Sequence, residues 1–335
     1  MNRSQNWQYI SFFGVSIVTT ITLFVGDGTV AQITPDATLL NNSNVNLSGN
    51  IRNITGGTQA GSNLFHSFRE FSVPNNTEAY FNNTLDINNI ITRVTGSSIS
   101  DINGLIRANG QANLFLMNPN GIIFGQGARL DIGGSFIGTT ASSVNFADGF
   151  SFSATPTDTK PLLTISAPIG LGMGLNPGEI KVQGAGSGIS LKDISVEGVR
   201  QNVEEIASKT IADNTGLRLQ ERKTLALVGG NVSVDGGIFK LPSGRIEIGS
   251  FGSNALVSLA PVAEGWKLDD SGVTNFGNIQ VLGQAFVSAS GNRGGDISLR
   301  GGNINLTGQS ILLADTLGNI NGGEISIHGD SITIK

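Results

Sequence analysis

Cysteine is absent from the 335 residues. That excludes a disulfide framework, thiolate catalysis and any Cys metal site. Histidine is nearly absent: His66 and His328 are the only two, far apart in the chain. His-centred catalysis and His-rich metal sites therefore lack material. Charged residues make up only 13% and the formal net charge is −5. A nucleic-acid surface needs clustered Lys and Arg, so no nucleic-acid partner is expected. Trp266 and Tyr80 are the only Trp and Tyr beyond the first 31 residues, too few for an extended sugar-stacking platform.

Paired carboxylates are scarce as well. Asp269-Asp270 and Glu204-Glu205 are adjacent pairs, and neighbours in a strand face opposite ways, which makes a poor acid/base couple. No EF-hand, P-loop or calcium-binding nonapeptide pattern occurs. The expectation is a protein that is not an enzyme and carries no cofactor and no metal. A β-helical polysaccharide-active enzyme is the alternative that the fold class keeps open.

What is present is glycine, 47 residues of it, together with many Asn, Ser and Thr. Short apolar alternations recur between Gly and Asn punctuation: "NVNLSG" (44–49), "RLDIGG" (129–134), "NVSVDG" (231–236), "RIEIGS" (245–250) and "NINLTG" (303–308). Each reads as a short strand with one buried face. Near the C-terminal end the pattern repeats. Shifting "GGDISLRGGNINLTG" by 28 residues onto "GGEISIHGDSITI" superimposes Ile297 on Ile325, Leu299 on Ile327, Ile304 on Ile332 and Leu306 on Ile334. "GGNVSVDGG" (229–237) reads as a third copy of the same opening. Internal repeats of this period mark stacked architectures. The fold class is therefore all-β, a parallel β-helix. At ~25 residues per coil and ~4.8 Å per coil, this predicts about 12 coils and a rod on the order of 55 Å. Outward Asn, Ser and Thr are expected to form ladders between coils.

Two segments depart from the pattern. Residues 155–178 concentrate proline and glycine and are expected to leave the helix as loops. Residues 198–215 carry the only helix-like spacing, with Val199, Val203 and Ile206 at i, i+4, i+7, and read as a polar excursion. His66 is expected to pack near Phe65, Phe68 and Phe71 at the cap, and His328 to be solvated.

The first residues read as an export signal: basic Arg3, the apolar run "ISFFGVSIVTTITLFV" (10–25), then "GDGTVAQ" with Thr29 and Ala31 at −3 and −1. Cleavage is expected between Ala31 and Gln32. The apolar run is shorter than the ~20 residues of a spanning helix. At the other end, "SITIK" stops inside an apparent strand, which predicts the front part of a longer repeat protein. The expected organisation is a signal peptide at 1–31, a core domain at 32–150, a continuation with extra-helical loops at 151–290, and the start of the 28-residue repeats at 291–335.

The segment "NLFLMNPNGIIFGQG" (113–127) holds four turn-forming residues, Asn118-Pro119-Asn120-Gly121, between two apolar runs. Pro119 has φ preset for position i+1 of a type I turn, with Asn118 at i and Gly121 at i+3. The longer run "NGLIRANGQANLFLMNPNGIIFGQGARLDIGGSFIGTTA" (103–141), with "IRNITGGTQAGSNLFHSFREFSV" (51–73), "DINNIITRVTG" (86–96) and, later, "LTISAPIGLG" (163–172) and "LALVGGNVSVDGG" (225–237), resembles the N-terminal secretion domain of two-partner secretion exoproteins of the filamentous haemagglutinin type, the likeness covering the region from Gln32 to about Phe146. The likeness is nearest to cyanobacterial surface proteins of that type.

The resemblance implies a right-handed β-helix with an N-terminal cap and extra-helical hairpins. It implies export through the general secretory translocon, recognition by the POTRA domains of an outer-membrane barrel transporter, and release as a secreted or cell-surface adhesin. Asn118, Pro119, Asn120, Gly121 and Ile122 match the family's "NPNGI" signature and would meet the transporter. The family's "NPNL" signature is missing. Asp86, Ile87, Asn88, Asn89 and Ile90 stand in its place as a second candidate segment. An autotransporter passenger is the other route to the cell surface, but these residues include no barrel-forming segment.

Overall fold

The computed structural model describes residues 32–155, 163–190, 199–320 and 322–335. The export signal expected at 1–31 lies outside them, as does part of the 155–178 segment. Residues 31–335 form one compact unit.

The unit is a parallel β-helix. A complete coil contributes one strand to each of three faces. On the first face, eight strands from Asn63–Phe71 to Ile325–His328 stack in parallel register. The second face runs from Ser100–Ile102 to Ser331–Ile334. The third is a ladder ending at Arg129–Asp131 in the early coils and a separate one starting at Leu217–Arg218 in the later coils.

Strand alternation with period two explains why these sequences take this form. Along the first face, Leu64, Ile90, Leu114, Phe136, Leu225, Ile246 and Ile297 stack inward, and each is buried. The four pairs aligned by the 28-residue shift are ladder partners: Ile297 with Ile325, Leu299 with Ile327, Ile304 with Ile332 and Leu306 with Ile334. "GGNVSVDGG" is out of phase with them. Its strand, Asn231–Asp235, lies on the second face, whereas Asp296–Arg300 lies on the first. A Gly-Gly corner followed by alternating apolar residues looks the same in sequence on either face, so the phase is not readable.

Eight coils, not about twelve, occupy the described residues, because long stretches leave the helix. Ser143–Phe146, Ser151–Ser153, Pro168–Gly172, Leu256–Val262 and Gly265–Asp269 form an antiparallel sheet laid over the outside of the first face. Val144, Phe152, Leu171, Val257 and Leu268 from this covering sheet pack on the outward column Phe65, Ile91, Phe115, Ile137 and Ala226, making a second core. The outward column then turns polar. Glu247 follows Ala226, then Ser298 and Ser326. Glu247 is fully buried, and burial pushes its carboxyl up despite the Arg245 and Arg300 charges beside it.

The 198–215 segment is more than a polar excursion. The helix Val199–Thr210 buries Val203 and Ala207 against Ile238 and Phe286, on the outside of the third face. Its apolar stripe finds a partner in its own chain.

The first coil is closed by a cap. Ile33–Pro35 and Thr58–Ala60 pair antiparallel to Asn63–Phe71, and the hairpin Ser43–Ser48/Ile51–Gly56 extends the third face. Arg93 ties cap, helix and covering sheet together. Its guanidinium donates to Ser67 Oγ at 2.9 Å, Thr38 Oγ1 at 2.8 Å and the Ser153 carbonyl, and lies 4.4 Å from the Phe152 ring centre.

His66 sits inside the cap, fully enclosed, with Nδ1 2.9 Å from Ser43 Oγ and the Phe81 ring edge-on at 5.4 Å. Burial lowers its pKa from 6.5 to about 3. The folded state therefore holds His66 neutral where the unfolded chain protonates it. Its stabilising contribution is whole above pH 6.5 and is lost as pH falls toward 3, by up to about 1.4 kcal/mol per pH unit. Protonation of Glu247 works in the opposite sense, so the comparison must isolate the histidine. Urea midpoints from pH 7 to pH 4.5 are expected to fall more steeply for the wild type than for His66→Phe. Parallel slopes would show that His66 is not the titrating group.

Candidate functional site: the Asn118–Ile122 corner

The strand Asn113–Met117 belongs to the first face and Ile122–Phe124 to the second. The corner between them is Asn118-Pro119-Asn120-Gly121. Gly121 N donates to Asn118 O at 3.1 Å, closing the expected β-turn. Gly121 has φ of 133°, and Asn120 keeps a negative φ, as position i+2 of a type I turn requires.

Asn118 is 0% exposed. Its Oδ1 accepts from Asn120 N and Asn120 Nδ2, each at 3.0 Å. Its Nδ2 donates to Ser98 O at 3.0 Å and to Ser100 Oγ at 2.9 Å, in the coil before. Asn118 N donates to Thr139 O at 2.9 Å in the coil after. One side chain thus completes its own turn and staples it to the neighbouring coil, while its backbone reaches the next. Asn120 is exposed, though its Nδ2 also reaches back to Gly96 O at 2.7 Å. On the opposite side Gly178 N donates to Pro119 O at 2.9 Å. Gly121 and Ile122 are buried, so Pro119 and Asn120 alone present surface from this corner.

The second candidate segment divides the same way. Ile87 and Ile90 are core residues, and Asp86 and Asn88 are exposed. Asp86 accepts from Gln59 Nε2 at 3.1 Å. Asn89 is the middle rung of an amide ladder. Asn89 Nδ2 donates to Asn63 Oδ1 at 2.9 Å, Asn113 Nδ2 donates to Asn89 Oδ1 at 3.0 Å, and Asn113 Oδ1 accepts from Ser135 N at 2.8 Å. These ladders are the ones the outward Asn residues lead one to expect. The fold does not bring the two segments together. They lie at opposite ends of adjacent parallel strands, about 16 Å apart for a five-residue strand.

The adjacent carboxylate pairs and His328 are engaged in local contacts. Asp269 accepts from its own turn at Ser271, whereas Asp270 pairs with Arg300 at 2.6 Å. Glu204 meets Ser288, while Glu205 pairs with Lys209 along the helix. Exposed His328 lies 2.7 Å from Ser326 Oγ. Among the described residues no group of three His, Asp or Glu is placed to hold a metal, and no helix is long and apolar enough to cross a membrane.

A family model described as the TPS secretion domain matches residues 31–299. The chain belongs to that family. TPS denotes two-partner secretion, in which exoproteins of Gram-negative bacteria are secreted or displayed at the cell surface after recognition by a cognate outer-membrane transporter. It is a family of secretion domains and not an enzyme family. The chain is similar to the heme/hemopexin-binding protein of Haemophilus influenzae, 37% identical over 98 residues, which are 29% of this chain and 10% of that protein. It thus spans a small fraction of the length of that relative. It is also similar in structure to the HMW1 secretion domain of Haemophilus influenzae, with 15% identity and a TM-score of 0.49 over 88% of this chain and 76% of that one. The cyanobacterial likeness read from the sequence is not supported by these similarities.

Proposed function

We propose that this TPS domain is the address label of a longer exported adhesin. The POTRA domains of its outer-membrane barrel would read that label before the domain folds. Residues 1–31 would serve the general secretory translocon and be cleaved between Ala31 and Gln32, close to where the family match begins at residue 31. Residues 32–150 would be the recognition core, 151–290 its continuation, and 291–335 the start of the repetitive stalk.

The observation that carries this reading is the burial of the signature. Asn118, Gly121 and Ile122 are enclosed in the folded domain. A transporter docking on the folded corner could touch only Pro119 and Asn120. Recognition of all five residues, Asn118 to Ile122, requires the chain to be open. The exposed Asp86 and Asn88 would remain available in either state and would act as the secondary contact.

The test is binding of purified POTRA domains from the partner transporter to the full chain, held unfolded at low urea or folded in buffer. Binding is expected to the unfolded chain and to weaken for Asn118→Ala and Asn120→Ala alike. Binding to the folded chain alone, lost only for Asn120→Ala, would overturn recognition before folding. Export that is equal with and without the partner transporter would overturn the two-partner reading itself.

A further inference from the structure

A groove of about 410 Å³ runs between the start of the first face and the turn of the hairpin formed by Leu256–Val262 and Gly265–Asp269. That volume falls within the range of small-ligand sites. One wall is apolar, built from Pro168, Ile169, Val262 and Trp266, with Ile169 43% exposed. The polar part of the lining includes Asn89 and Asn113 of the amide ladder, and Arg222 and Lys223.

The hairpin wall is held in place. Thr224 Oγ1 lies 3.0 Å from Glu264 O and accepts from Trp266 N at 3.2 Å. The Trp266 ring stands edge-on to Phe115 at 5.2 Å. Three strong donors on this groove, the Trp266 indole, Arg222 and Lys223, have little or no protein partner among the described residues. Among the described residues, the Trp266 indole N–H makes no hydrogen bond, Arg222 makes no side-chain bond, and neither Arg222 nor Lys223 forms an ion pair. Lys223 has only a 3.4 Å contact with Gln111 Oε1. Half-buried indoles ordinarily find a polar partner. Glu264 is the acidic residue of the same lining.

We propose that this groove is a binding site for an acidic saccharide. The pyranose ring would lie along Trp266 and Ile169. The sugar carboxylate would meet Arg222 and Lys223, and ring hydroxyls would donate to Glu264 and accept from the indole N–H. A simple anion would leave the apolar wall unused and face Glu264 unfavourably. A neutral sugar would leave the two cations unpaired. The site belongs to the folded domain and does not depend on how the transporter reads the chain.

Calorimetric titration of the full chain with a hyaluronan tetrasaccharide, which contains glucuronic acid, tests this against neutral cellotetraose. The acidic sugar is expected to bind with Kd on the order of 0.1–1 mM. Lys223→Gln combined with Arg222→Gln is expected to weaken it about tenfold, to the level of the neutral sugar. Trp266→Leu is expected to abolish both, with the fold checked by its thermal transition. Three results would each overturn the site: no saturable heat with the acidic sugar, undiminished binding by the double Lys223/Arg222 variant, or equal competition by a glutamate-rich peptide. The double variant changes side chains at the groove edge, so its readout survives if Trp266→Leu fails to fold.

Discussion

Replacing Asn118 by alanine is expected to lower the unfolding free energy by about 3–5 kcal/mol, among the largest effects a single polar truncation produces. The side chain makes four hydrogen bonds from a site with no solvent exposure. Its loss strands the Ser100 hydroxyl, which is itself fully buried, and frees the Asn120 amide. Water can replace little of this. Asn120→Ala is expected to cost only about 1 kcal/mol, because its amide is exposed and water takes over its contacts. Urea denaturation of the two variants measures the contrast directly. Equal, small losses would mean that Asn118 is not the staple its hydrogen bonds describe. The contrast also bears on export: if the unfolded chain is read, both variants lose transporter affinity although only one loses much stability.

The second large effect is expected from Gly178→Ala, one coil away. A Cβ at Gly178 would stand 2.4 Å from Asn120 C, 2.5 Å from Asn120 O and 2.6 Å from Gly121 N. All three are backbone atoms, so no side chain can swing aside. The clash would force apart the coils that Gly178 joins, through its N–H to Pro119 O and its carbonyl to Gly230 N. A loss of about 3 kcal/mol or more is expected, with faster hydrogen exchange at the Gly178 and Gly230 amides. Gly149→Ala is the control. Nothing lies within 4 Å of its Cβ position, and only its φ of 84° opposes the change, at a cost of about 1 kcal/mol. A Gly178→Ala protein as stable as that control would show that the corner tolerates a wider coil spacing.

The parallel β-helix was legible because period-two alternation and glycine corners leave few other ways to bury so many short strands. The turn at Asn118 was legible for a local reason: Pro119 presets φ, and Asn and Gly fill the flanking positions. That Asn118 would be wholly enclosed was not legible. Its enclosure comes from Ser98 and Ser100 in one coil and Thr139 in another, none of which is a sequence neighbour. The coil count was overestimated for a related reason. "SVNF" (143–146) and "LVSLAPV" (256–262) alternate like helix strands, yet they pair antiparallel in the covering sheet. The groove at Trp266 left no sequence signal, since its walls come from positions as far apart as Asn89 and Trp266.

Local chemistry in the chain was enough to specify strands, corners, the exclusion of cysteine and histidine chemistry, and the resemblance that the family match later bore out. Which strand lies on which face, where the chain leaves the helix, and which half of a signature remains on the surface were decided by tertiary packing. The physical reason is that alternation records only that a side chain is buried. The partner that buries it, whether the next coil, the covering sheet or the helix Val199–Thr210, is set by contacts between residues tens to more than a hundred positions apart.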